Sequence, residues 1–132
     1  MRRLRSYEVL PTLKDLLAPL ALMAIIFVLS AQPDLNSGLG GWDTVLRKLA
    51  HAFAFGLLWW LWRRALERPW LALAITLAYA ASDEWHQTFA RGRSGSPRDV
   101  LIDAAGIALA AALWRAHEQL TRHDRVRRGR GT

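Results

Sequence analysis

Apolar positions in this chain do not alternate with polar ones at helical spacing; they run together in four blocks parted by short charged stretches. Leu16 to Ala31 is uncharged throughout and is extended by Thr12 and Leu13, with Pro19 close to the start, where a helix tolerates proline best. Leu49 to Trp62 is broken only by His51, Pro69 to Ser82 carries no charge, and Val100 to Trp114 is broken only by Asp103. A helix of a soluble bundle keeps a polar face, whereas Ala52 to Trp62 and Leu71 to Ala81 have none. The pattern predicts an all-α, polytopic membrane protein: a four-helix transmembrane bundle with helices at about 12–31, 45–63, 69–88 and 98–116. The last three runs fall short of the roughly 20 residues that cross a hydrocarbon core. Spanning therefore draws their polar neighbours to membrane depth.

Charge sharpens this picture. The bulk composition, 22% charged with a mean hydropathy of +0.07, resembles that of a soluble protein. Most of the charge, however, lies in Arg2 to Asp15, Arg63 to Arg68 and Arg115 to Arg130, outside the apolar blocks. The net charge of +7 invites a nucleic-acid reading, yet the basic residues flank hydrophobic runs instead of mingling with aromatics, so no nucleic-acid partner is expected. With both termini inside (N-in/C-in), thirteen basic residues fall on the cytoplasmic side and five outside, as the positive-inside tendency requires. A cleaved signal peptide is the rival reading of the first block; the length of its apolar run and the membrane-like segments that follow argue for a span. Residues 1–132 read as one domain with a short basic N-terminus, a turn-rich outer loop from Gln32 to Thr44 and a basic, disordered tail at 117–132. Trp59, Trp60, Trp62, Trp70 and Trp114 fall at the expected inner interface. There is no cysteine, which excludes thiol chemistry.

The polar exceptions gather at the outer ends of the helices. Lys48 and His51 open the second helix; Asp83, Glu84, His86 and Gln87 close the third. Arg91, Arg93 and Arg98 occupy the next loop, and Asp99 and Asp103 open the fourth helix. Lys48 and His51 share a face, as do Asp83 or Glu84 with Gln87, and Asp99 with Asp103. The Asp99–Asp103 stripe continues through Gly106 and Ala110, a small-xxx-small pattern that permits close helix approach and turns the carboxylates inward. Ionisable groups at such depth are costly unless paired, and they mark function by default. For Asp99 alone, a place at the start of its helix accounts equally well for the charge. His86 points away from Glu84 toward the lipid headgroups and is expected to be a bystander.

Taken in order, Ser30-Ala31-Gln32-Pro33, Lys48-Leu49-Ala50-His51-Ala52-Phe53, Asp83-Glu84-Trp85-His86-Gln87 and Arg93-Ser94-Gly95-Ser96-Pro97-Arg98-Asp99-Val100, followed by Asp103 and Gly106, resemble the VanZ-like family across about Phe27 to Leu113. The resemblance implies a multi-pass protein of the bacterial inner membrane and a link to low-level teicoplanin-type glycopeptide resistance or envelope homeostasis. It carries the family motif onto Ser30, Gln32, Lys48, His51, Asp83, Glu84, Gln87, Arg93, Asp99, Asp103 and Gly106. Where this chain has Asp103 the family often has asparagine, which adds one negative charge here.

Three functional readings follow. In the first, Lys48, His51, Asp83, Glu84, Gln87, Arg93, Asp99 and Asp103 bind an anionic membrane lipid or a lipid-linked cell-wall or glycan precursor. Arginine suits its phosphate because the guanidinium donates two parallel hydrogen bonds. The second is an intramembrane enzyme with Glu84 as base and His51 and Asp83 as further catalytic candidates. The third is a structural subunit whose polar cluster only locks the helices. No cofactor is assigned. His51, Asp83 and Asp103 match no known metal-ligand spacing, so no metal is assigned either. Four short helices leave little lumen for transport without homo-oligomerisation, which is left open.

Overall fold

The computed structural model describes residues 10–33, 38 and 40–129; the N-terminal arginines and Asp34 of the first loop lie outside these. Four α-helices follow in order: α1 Leu13–Ser30, α2 Gly41–Leu66, α3 Pro69–Gln87 and α4 Pro97–Gly129. Among the described residues there is no strand.

Local chemistry sets the helix ends. At the start of α1, Asp15 turns back to accept from the Thr12 N–H (2.9 Å) and hydroxyl (2.6 Å), satisfying a donor that helix geometry orphans. Between α2 and α3, Glu67 adopts a left-handed conformation (φ 53°) and donates its N–H to the Arg63 carbonyl. Pro69 then opens α3 at a position where proline's missing N–H costs nothing. Ser96 precedes α4; its hydroxyl accepts the Arg98 N–H at 3.2 Å, with Pro97 as the first helical residue.

α2 starts earlier than the pattern predicts and ends later, and α4 runs well past the expected end near residue 116. The stretch expected as a disordered tail is helical from His117 through Gly129. Neither glycine nor proline interrupts the chain between Gly106 and Gly129, and Glu118 and Arg122 stand four apart in the favourable order. The hydrophobic pattern reads where apolar burial stops, not where the backbone hydrogen bonds stop.

α2 is the central helix and packs against all three others, most extensively against α4. Its Phe55, Leu58, Trp59 and Trp62 form the core with Ile26 of α1, Ala72 and Ala80 of α3 and Ile107 of α4. The α2–α4 crossing is close: a Cβ added at Gly106 would lie 2.0 Å from the Ala52 carbonyl oxygen, and one at Gly56 would lie 2.8 Å from that of Gly106. The stripe read from α4 thus meets a matching Ala52-xxx-Gly56 on α2. Tyr79 of α3 donates its hydroxyl to the Met23 carbonyl at 2.6 Å, tying α3 to α1.

The surface is inside-out relative to a soluble protein. Leu17, Ile25, Phe27, Val28 and Leu29 of α1, Phe53 of α2 and Leu101, Leu109 and Leu113 of α4 are all more than half exposed, while Asp83, Glu84 and Asp103 are buried. α1 and the Pro97–His123 part of α4 are long and apolar enough to cross a membrane. Only 17% and 11% of their apolar stretches are buried in the bundle, so burial in a soluble core does not account for them. α2 and α3 fall short of that measure, and they are the helices carrying Arg47, Lys48, His51, Asp83 and Glu84. The tryptophans expected at the inner interface also depart from a lipid-facing belt: Trp59 and Trp62 are buried, and of that group only Trp70 is largely exposed.

Candidate functional site

Helical spacing places Thr44, Arg47, Lys48 and His51 along one face of α2. At the same end of the bundle, Glu84 and Gln87 come from the close of α3, Gly92, Arg93 and Ser94 from the loop after it, and Asp99, Ile102 and Asp103 from the first turns of α4. Together they line a cavity of about 250 Å³.

Each acidic residue of the cluster has its own environment. Lys48 Nζ donates to Asp99 Oδ1 at 2.5 Å, linking α2 to the start of α4. Ser96 supplies the cap of α4, so Asp99 is free for this pairing. Glu84 holds the α3–α4 loop: its Oε2 accepts the Ser96 N–H at 3.0 Å and its Oε1 accepts from Gln87 Nε2 at 3.2 Å. That loop must lie directly on α3, because a Cβ at Gly95 would come within 2.1 Å of the Glu84 carbonyl oxygen. Asp83 uses Oδ2 to accept from the Ser30 hydroxyl (2.8 Å) and from Gln87 Nε2 (3.0 Å), joining α1 to α3. Asp103, 1% exposed, has no hydrogen bond to either carboxylate oxygen. His51 Nδ1 lies 3.9 Å from Asp103 Oδ1 and 4.0 Å from Asp83 Oδ2.

Of the residues singled out from sequence, Lys48, His51, Glu84, Gln87, Arg93, Asp99 and Asp103 reach the cavity wall. Asp83 does not; it sits behind His51 and bonds to Ser30. Gln32 is exposed and donates to the Val28 carbonyl of its own helix end. Arg91 and Arg98 are exposed and do not line the cavity. His86 stacks on Phe27 of α1 with ring centroids 4.2 Å apart. Among the lining residues that sequence reasoning passed over, Arg47 and Thr44 had a legible signal in their spacing from Lys48 and His51, whereas Gly92, Ser94 and Ile102 had none.

The site's chemistry divides by lone pairs. Both oxygens of Glu84 already accept hydrogen bonds that hold the loop, while both oxygens of Asp103 are uncommitted. A group able to accept a proton or a ligand is therefore to be sought at Asp103 before Glu84. Among the described residues, His51, Glu84 and Asp103 group as potential metal ligands, their ligand atoms all lying within 4.8 Å of one another.

An apolar exterior around buried carboxylates defines a small helical membrane protein with a polar cavity at one end of its bundle. A family model described as VanZ/LLP1 matches residues 5–118, and the chain belongs to that family. Searches of curated proteins and of solved structures found no match.

Proposed function

We propose that this protein spans the bacterial inner membrane four times, with both termini in the cytoplasm, and that its outward-facing cavity binds the anionic headgroup of a membrane lipid or lipid-linked envelope precursor. The carrying observation is the placement of Arg47, Lys48 and Arg93 around one cavity in a bundle whose outer surface is apolar. Phosphate oxygens match such donors, and partial removal from water strengthens the attraction.

A second feature fits a lipid. Beside the cavity, between α2 and α4, an apolar groove of about 720 Å³ is lined by Leu49, Phe53, Leu57, Leu109 and Leu113 and ends near Trp60 and Arg64. It begins one residue beyond Lys48 and His51, so a headgroup in the cavity can lay its hydrocarbon chain along the groove. The excess of Lys and Arg at the opposite end of the helices supports the orientation. Binding at such a site is compatible with a part in envelope homeostasis, including tolerance of glycopeptides.

The test is mass spectrometry of lipids that co-purify with the detergent-solubilised protein, wild type beside Lys48→Ala/Arg93→Ala. A discrete phospholipid or prenyl phosphate in the wild type, reduced at least tenfold in the double variant, is the expected result. Identical lipid profiles in both would sink the headgroup reading and leave the cluster as an internal lock between helices.

A further inference from the structure

We propose that His51, Glu84 and Asp103 form a binding site for a divalent metal cation of the manganese–zinc type. Three helices contribute one residue each: α2 gives the imidazole, α3 and α4 the two carboxylates, and their ligand atoms lie within 4.8 Å of one another. Ligands on opposite sides of one such ion stand about 4.2 Å apart, twice a bond of about 2.1 Å. A small inward rotation of the side chains closes the site.

Asp103 supplies the independent reason to expect a ligand. It is 1% exposed, lines the cavity, and neither of its oxygens accepts a hydrogen bond, although Arg47, Lys48 and Arg93 line the same cavity. A buried carboxylate without donors is costly, and a bound cation compensates its charge. The surroundings have the character of an outer shell. Glu84 is oriented by the Ser96 N–H and by Gln87. Such hydrogen bonds to a carboxylate are the supports that hold a metal ligand in place. One imidazole nitrogen with two carboxylates favours manganese or zinc over magnesium or calcium, which prefer all-oxygen spheres. This site goes beyond the headgroup reading and does not depend on it.

The experiment titrates chelator-stripped, detergent-solubilised full chain with Mn2+ followed by electron paramagnetic resonance, and with Zn2+ by calorimetry. Wild type is expected to bind one ion per chain with micromolar or tighter affinity. Asp103→Asn and His51→Gln are expected to weaken binding at least tenfold, and Lys48→Ala/Arg93→Ala to bind the ion as wild type does while losing the lipid. Absence of saturable binding in the wild type overturns the proposal, as does unchanged affinity in Asp103→Asn. Should those variants fail to fold, pulsed resonance on a His86→Gln/His117→Gln/His123→Gln chain, which keeps only His51, decides. An imidazole nitrogen coupled to Mn2+ supports the site, and an all-oxygen sphere overturns it.

Discussion

The two ends of the bundle solve the problem of charge next to hydrocarbon in opposite ways. At the tryptophan end, the cations stay outside and lean on aromatic faces: Arg63 lies 5.2 Å from the Trp114 ring centroid and Arg64 4.8 Å from that of Trp60. Their aliphatic stems cover apolar surface while the guanidinium remains in reach of water, so little desolvation is incurred. At the cavity end, Asp83, Glu84 and Asp103 are inside, and solvation must come from other protein groups. Asp83 and Glu84 obtain it from Ser30, Gln87 and Ser96; Asp103 does not. At one end the charges keep their water, whereas at the other Asp103 is buried without a hydrogen-bond donor.

The sharpest way to probe this contrast is at the crossing beneath the cavity. Gly106→Ala places a methyl group 2.0 Å from a backbone oxygen that has nowhere to go, so α2 and α4 must separate. A loss of about 3 kcal/mol or more is expected, read as a collapse in purified yield and in the thermal midpoint in detergent. A Gly106→Ala protein as stable as wild type would mean that the two helices are not pressed together as described.

Smaller, but still distinct from the other end, is the effect expected of Asp83→Ala. It strips the Ser30 hydroxyl and one bond of Gln87 of their acceptor and lowers stability by about 1–3 kcal/mol. A double-mutant cycle with Ser30→Ala isolates the α1–α3 link, where a coupling of roughly 0.6–1.7 kcal/mol is expected for a hydrogen bond between membrane helices. Zero coupling would remove Asp83 as the tie between them. The smallest effect belongs to Arg64→Ala, at about 0.5–1 kcal/mol in the same unfolding assay. If it cost as much as Asp83→Ala, the contrast between the ends would fail.

Much of the architecture was legible along the chain because long apolar runs announce helices by composition alone. Blocks with no polar face located all four helices, and Gly106 with Ala110 identified the face of α4 that meets α2. The α4 extension was not legible, because a solvated helix leaves no hydrophobic trace and its backbone hydrogen bonds are indifferent to burial. Trp59 and Trp62 misled for a related reason: tryptophan near a helix end suits both an interface and a core, and only neighbouring helices decide which.

For the site, the sequence by itself determined which residue types gather at which end, since spacing within a helix assigns faces without reference to anything else. It could not rank Asp83, Glu84 and Asp103, three carboxylates of one chemistry at one depth. That ranking belonged to the tertiary structure, which placed Ser30 against Asp83 and the Ser96 N–H against Glu84 and left Asp103 facing His51 across the cavity. The physical reason is that a buried carboxylate's role is set by which donors reach its lone pairs. Apart from Gln87 on the same helix, those donors come from α1 and from the loop that Gly95 lets down onto α3, where no periodicity within one segment can record them.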